Sequence, residues 1–450
     1  MRRECSVTPA REPPPARSSE PSDGPSGAGA ERTPAKASTV EPDLGHASEG
    51  SLPVTTPAVR AVDVLVVGGG IVGLACAWAA VRAGARVAVL DPSPGDGATH
   101  AAAGMLAPVG EAEPDDDAAT ALHLAGAALW PGFAADLRAA SGTDPGFEPA
   151  GTLLLAYDAG DAADLRRRLH QHARAGLRSS PLTVADARRD EPALGSLGGA
   201  ALAPDDHRAD PRATHQALAT ALDAAGVRRV RRAAVRLLRE RGAVVGAVDD
   251  AGHRHRAGLV VLAAGTPSRA LAADAGAPRV PVRDVVGQTL RLAAGPDLPL
   301  GRTLRGQVQG RPVYVVPRAP EPDGTREVVV GATSEETGDG RRPRAGGTFA
   351  LLRDARALVP GLDETALVDV TQRARPTTPD GRPLVGPSGV PGLWLATGHG
   401  RGGVLLAPLT GVALAHALGS TANTPDHDLG RALRAMDPDR LVATDHRRTA

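Results

Sequence analysis

Residues 61–91 read AVDVLVVGGGIVGLACAWAAVRAGARVAVLD, and this stretch decides the fold. The apolar run Val62–Val67 predicts a strand that feeds straight into three glycines. A small-residue helix follows over Ile71–Arg82, then a turn at Gly84 and a second strand, Val87–Leu90, ending on Asp91. Strand, glycine turn, helix, strand and acid make one βαβ unit with the G-x-G-x-x-G fingerprint at Gly68, Gly70 and Gly73. Gly68 permits the tight turn, Gly70 lets backbone approach a pyrophosphate, and Gly73 lets the helix lie close on the strand. The helix start, with Ile71 and Val72, offers free N–H groups and a positive dipole end to phosphates. Asp91 stands where a ribose hydroxyl needs an acceptor. A glycine triplet alone is weak evidence in a chain with 54 glycines. The flanking strands and the terminal acid make it a dinucleotide site, and by itself it does not choose NAD from FAD.

The chain has 450 residues, more than one compact core, and suggests two domains. Its formal net charge is zero, so no overall field recruits nucleic acid or an anionic membrane. Lys36 is the only lysine and arginine supplies the remaining basic charge, so any single arginine carries little weight by itself. Cys5 and Cys76 sit in unlike contexts and give no disulfide framework, which fits a reducing, cytoplasmic compartment. No apolar run reaches the roughly 18 residues of a membrane span. Residues 1–58 are rich in Pro, Ser, Gly and charge, and are expected to form a disordered arm, either a functional tail or the product of a mistaken start site.

Working outward, the acidic run Glu111–Asp117 reads as solvated surface, and a helix follows in which Pro131 starts a second half. Further strands are expected at Gly151–Tyr157, Val227–Glu240, Ala243–Asp249 and Leu259–Leu262. The short spacing of Val282–Leu292, Val313–Val316, Glu327–Val330 and Leu367–Ala374 points to an antiparallel sheet. Leu393–Ala396 is a last buried strand, and a helix is expected over Val404–Leu418. The fold class is therefore α/β, a Rossmann-like nucleotide domain with an inserted α+β substrate domain built on an antiparallel sheet. The expected pieces are 59–150, 205–280 and 381–435 for the nucleotide domain, 151–204 and 281–380 for the substrate domain, and 436–450 as a flexible tail.

Four segments together resemble the D-amino-acid-oxidase superfamily of FAD enzymes, most closely the glycine oxidases of thiamine biosynthesis. They are GGGIVG with Asp91, ATHAAAGMLAP (98–108), YVVPR (314–318) with GATSEETG (331–338), and RARPTTPDGRPLVG (373–386) with ATGHGRGGVLLAPLTG (396–411). The resemblance implies non-covalently bound FAD. It places Asp91 on the adenosine ribose, the backbone of Val235 at the adenine, and Ala98, Thr99, Ala103, Gly104 and Met105 along the flavin. His399, Gly400, Arg401, Gly402, Gly403, Val404 and Leu405 fall in the loop and helix start beside the isoalloxazine, whose negative charge a helix N-terminus stabilises. Arg375 matches the arginine that pairs with an amino-acid carboxylate, a bidentate task lysine does not perform. Tyr314 matches a tyrosine holding the same group, and Arg401 a second arginine near the substrate.

The implied reaction is hydride transfer from glycine, and in related enzymes from sarcosine or small D-amino acids, to flavin. It gives an imine that hydrolyses to glyoxylate and ammonia, or feeds thiazole synthesis, with oxygen as acceptor and peroxide as by-product. A dehydrogenase using another acceptor and a flavoprotein subunit of a larger complex remain open alternatives, and relatives are often tetramers. No side chain is required as an acid or base. Two departures bear on substrate preference: Gly400 and Gly402 flank Arg401 where the family carries an aromatic residue and an asparagine, and Arg373-Ala374 replaces Gly-Leu. His100 is spaced one residue too far from Gly104 for covalent flavin attachment. The pairs His170/His172 and His253/His255 lack the further ligands a metal needs, so no metal is expected.

Overall fold

The computed structural model describes residues 61–277, 280–336, 340–420 and 427–441. The arm expected over 1–58 and residues 442–450 of the expected tail lie outside them. Among the described residues the strands form two eight-stranded sheets and one three-stranded sheet.

The first sheet is organised on Val62–Val67. Its residues Val64–Val67 are at most 2% exposed, as a parallel strand covered on both faces must be. It lies between Val87–Leu90 and Ala257–Leu262, parallel to both. Arg228–Val230 extends the sheet on one side, and Leu393–Thr397 then Leu384–Pro387 on the other. The strand Arg254–Leu262 is longer than the Leu259–Leu262 expected. Its first residues pair antiparallel with the hairpin Ala234–Glu240/Ala243–Asp249. Arginines alternating with the buried His255 and Ala257 hid that extension, because every second residue is polar and exposed. Helices Ile71–Arg82, Asp117–Ser141, Pro211–Ala224 and Ala407–Ala417 cover one face in a single core.

The second sheet runs in the order Ala366–Thr377, Arg283–Ala294, Arg326–Gly331, Arg311–Pro317, Thr303–Val308, Thr152–Ala156, Gly199–Ala203, Ser180–Leu182. Its pairs are antiparallel except Thr303–Val308 with Thr152–Ala156. The two-residue period of its strands positions the site. Val313, Val315, Val328 and Val330 bury against helix Ala345–Leu358, whereas Tyr314, Val316 and Val329 pack on Ala103 and Met105 of the expected flavin segment. The small sheet ties that segment down, with Met105–Leu106 and Phe147–Glu148 flanking His207–Ala209.

Three local readings are corrected. Asp117–Ser141 is one helix through Pro131, with no new start there. The helix expected from Val404 begins at Ala407. The glycine-rich Gly400–Gly403 forms a 3₁₀ turn, and Pro408 falls in the helix's first turn, where its missing N–H costs nothing. Residues 437–441 do not hang free: the Arg440 guanidinium grips Asp380 at 2.9 and 3.1 Å, and Met436 is fully buried. Among the described residues no helix is long and apolar enough to cross a membrane, and no cluster of three or more His, Cys, Asp or Glu is arranged to hold a metal ion.

Candidate functional site

The glycine turn is fixed before any ligand arrives. A Cβ on Gly68, whose φ is +115°, would lie 2.2 Å from the Ala263 carbonyl oxygen, and one on Gly73 would lie 2.0 Å from that of Gly68. Strand and helix therefore meet at backbone contact, and no side chain fits at either place. Gly69 is held from three sides. Its N–H donates to Asp91 Oδ2 at 2.6 Å, and its carbonyl accepts from His215 Nε2 at 2.9 Å and from the Gly95 N–H at 3.1 Å. A carbonyl only accepts, so His215 carries its proton on Nε2. Asp91 also accepts from the Ser93 N–H at 2.7 Å, which leaves lone pairs on both oxygens for a ribose. At the helix start, the Ile71 N–H donates to Thr99 Oγ1 at 3.0 Å. The Val72 and Gly73 N–H groups have no partner among the described residues.

From this turn a cavity of about 560 Å³ runs to the second sheet. Of the residues expected from sequence, Gly68, Gly70, Ile71, Val72, Asp91, Ala98, Thr99, Ala103, Gly104, Met105, Tyr314, Arg375, His399, Gly400, Arg401, Gly403 and Val404 line it. Gly73, Gly402 and Leu405 stand behind the wall. Val235 is not among the residues that line the cavity. Its side chain is exposed, and the wall at that point is Ala233 and Ala234. The ladder is bulged between Ala234 and Arg236, so both Val235 and Arg236 turn their side chains outward, and the expected contact of Val235 is one of backbone and not of side chain.

The odd positions of Arg283–Ala294 support the segment Ala98–Gly104 from below. Thr289 Oγ1 donates to the Ala101 carbonyl at 3.0 Å, and buried Arg291 donates to that of His100 at 3.2 Å. His100 itself meets Arg212 through Nε2 at 2.9 Å and is not part of the cavity wall. His399 is buried, with its side chain on Thr410 of the following helix at 2.9 Å. Desolvation pushes its pKa down to about 3, so it stays neutral.

At the far end, Arg375 and Tyr314 meet over two glycines that sequence reading did not single out. A Cβ on Gly287 would fall 2.1 Å from Arg375 Nη1, and one on Gly331 would fall 2.3 Å from the Tyr314 hydroxyl. Arg375 Nη1 also donates to the Thr333 carbonyl at 3.3 Å. Burial lowers the Arg375 pKa, yet an arginine remains cationic. Burial raises that of Tyr314, against the opposing field of Arg375, so the phenol keeps its proton and can donate. Glu111, expected as the first residue of a solvated acidic run, is instead half-buried in the cavity wall and bridged to Arg305 at 2.7 Å. Burial pushes its carboxyl up, but Arg305, Arg401 and His123 outweigh this and hold it below the ordinary value. The loop bearing it is secured by buried Asp206, which accepts from the Val109 and Gly110 N–H groups at 2.8 and 2.6 Å.

A phosphate-binding turn with unpaired helix N–H groups, an acid with free lone pairs, and an anion-binding end within one cavity fit a long dinucleotide with its reactive end between the sheets. FAD matches that donor set.

The profile of the DAO family, described as FAD dependent oxidoreductase, matches residues 63–417. A bifunctional protein ThiO/ThiG of Nostoc sp. is 33% identical over 81% of this chain and 53% of its own. The chain thus spans about half the length of that relative. A glycine oxidase of Geobacillus kaustophilus is 34% identical over 78% of this chain and 92% of its own. The crystal structure of glycine oxidase from that organism superposes with a TM-score of 0.72 at 32% identity, covering 81% of this chain and 96% of that one. The glycine turn and the cavity it opens are thus those of a flavoprotein, and the chain belongs to the DAO family of FAD-dependent oxidoreductases.

Proposed function

We propose that the chain oxidises glycine and closely related small amines at the α-carbon, giving the imine and, after hydrolysis, glyoxylate and ammonia. Oxygen is the proposed acceptor, and supply of the imine to thiazole formation the proposed role. The observation that carries this reading is the convergence of Arg375 and Tyr314, each seated on a glycine, at the end of the cavity opposite the phosphate turn. The relatives named above include glycine oxidases, which supports the substrate.

FAD, when bound, supplies a two-electron acceptor for hydride. The protein's part is binding and orientation. Gly68, Gly70 and Val72 would hold the pyrophosphate, with Gly73 letting the helix lie close behind them, and Asp91 would hold the ribose. Ala98–Met105 and His399–Val404 would line the isoalloxazine. Arg375 takes the substrate carboxylate on its guanidinium fork, and the protonated Tyr314 hydroxyl donates to the same group. Arg305, Arg375 and Arg401 outnumber Glu111, so the local field is positive. Such a field lowers the pKa of a substrate ammonium, and the amine is bound neutral without a dedicated base. The polypeptide is proposed to divide into nucleotide and substrate domains, each with one of the large sheets.

Arg375→Ala tests this reading. It is expected to raise the KM for glycine by roughly 10–100-fold, the loss of a charge-assisted pair, with FAD content unchanged. An Arg375→Ala protein that loses its FAD, or keeps the wild-type KM, would remove the carboxylate anchor from the account.

A further inference from the structure

We propose that Asp96, Arg373 and Arg341 form an ionic clasp across the rim of the cavity, and that the clasp retains bound FAD by slowing its release. The inference concerns the cofactor and is independent of the amine oxidised. Asp96 belongs to the loop that follows Asp91. Arg373 is carried by the strand Ala366–Thr377, and Arg341 by the segment between Arg326–Gly331 and Ala345–Leu358. All three line the cavity. Each nitrogen of the Arg373 guanidinium is engaged. Nε donates to the Asp96 carbonyl at 2.7 Å, Nη2 to the Asp96 carboxylate at 2.5 Å, and Nη1 to the Gln372 carbonyl at 2.9 Å. Arg341 Nη1 donates to the other Asp96 carboxylate oxygen at 2.7 Å. Hydrogen bonds from Arg341 and Arg373 hold the Asp96 carboxyl down at about 2, so it stays ionised through the neutral range.

The two ends of the clasp stand on opposite walls. On one side, the Gly95 N–H donates to the Gly69 carbonyl and the Asp96 N–H to that of Ser93, both at 3.1 Å, so Asp96 is tethered to the phosphate turn. On the other, Arg373 lies two residues before Arg375, on the same face of their strand. The clasp therefore joins the loop at the phosphate turn to the strand that bears the proposed substrate anchor. Side-chain exposure rises along it, from 16% at Arg373 to 39% at Asp96 and 60% at Arg341. Arg373 is its inner member and Arg341 its outer one, which sets it where the cavity meets solvent. Pairs this exposed add little to the stability of the fold. They act instead on release, because the walls part only when the carboxylate loses both guanidinium groups. Arg373 stands where the resembling family carries a glycine, which has no side chain to reach Asp96.

The test follows release of FAD from the holoenzyme by the return of flavin fluorescence, with excess ADP present to block rebinding. Arg373→Gln is expected to speed release about 10-fold, and Arg341→Gln, at the exposed end, about 2–3-fold. Asp96→Asn should match Arg373→Gln, and combining the two should add less than about two-fold, because both break one contact. Rising salt should speed release from wild type more than from Asp96→Asn. The FAD-free forms of all these proteins should melt within a few degrees of one another. Equal release rates in wild type and Arg373→Gln, or fully additive effects of Asp96→Asn and Arg373→Gln, overturn the clasp. Faster release matched by a large fall in the Tm of the FAD-free variant also overturns it, since the three residues then serve the fold alone. Should an inner variant not fold, the rate in Arg341→Gln decides: unchanged release overturns the clasp.

Discussion

Gly287→Ala adds one methyl group and leaves every ionisable residue in place, yet it is expected to disable substrate binding. The new Cβ would lie 2.1 Å from Arg375 Nη1, and 2.4 Å from both Cζ and Nη2. Carbon contacts settle near about 3.5–4.0 Å, so the guanidinium must retreat by more than about 1 Å. It sits at the end of a flexible side chain, so the arginine yields and the strand pairing of Arg283–Ala294 with Ala366–Thr377 stays. A displacement of that size at a bidentate clamp costs on the order of 10²-fold in productive binding. It also forfeits at least one charge-assisted hydrogen bond of about 1.5–3 kcal/mol. The assay is steady-state oxidation of glycine with an artificial electron acceptor, alongside FAD content by visible absorption and a thermal melt. The expected result is a KM raised roughly 10–100-fold, bound FAD at the wild-type level, and a Tm shift of only a few degrees. A wild-type KM would refute the placement of Arg375 as the carboxylate anchor. Loss of FAD would refute the separation of the cavity's two ends.

Gly331→Ala should push on the Tyr314 hydroxyl in the same way and raise KM by about 3–10-fold, the worth of one neutral hydrogen bond. Combined with Tyr314→Phe, it should add little, and additive effects would show that the phenol is not what Gly331 accommodates. His215→Leu removes the donor on the Gly69 carbonyl and is expected to weaken FAD binding about 3–10-fold by flavin-fluorescence titration. His215→Gln, which returns an N–H, should recover most of it, and equal Kd values for the two variants would dismiss the clamp. Asp206 predicts a pH signature. Burial raises its folded-state carboxyl from 3.8 to about 7, so the stability of the protonated form is fully present below the ordinary carboxylate pKa and is lost as pH rises through about 7. Relative to Asp206→Asn, the wild type should therefore gain stability as pH falls from about 8 to 5, by at most about 1.4 kcal/mol per unit, and parallel melting curves would contradict this.

What could be read from sequence was local. Val62–Asp91 carries its turn chemistry, its period and its terminal acid within one short stretch, and the strands of the second sheet show their alternation directly. What could not be read depends on register between distant strands. Gly331 matters because it pairs directly with Tyr314, and Gly287 because Arg375 lies two residues beyond its own partner Arg373 on the same face. Neither glycine differs in sequence from the many others. Glu111 looked like its acidic neighbours. It turns inward because Asp206, nearly a hundred residues away, holds the preceding backbone and Arg305 supplies the counter-charge. At the nucleotide end, Ala233 and Ala234 line the wall beside Val235, where a bulge that depends on the pairing with Ala243–Asp249 sets the side-chain directions.

The most direct test is anaerobic mixing of the FAD-loaded protein with glycine while the visible flavin absorption is followed. The account predicts bleaching that saturates with glycine, slows when the α-carbon is deuterated, and yields glyoxylate and ammonia in step. Absorption that glycine, sarcosine and D-alanine all leave unchanged, in protein that a chemical reductant does bleach, would contradict it.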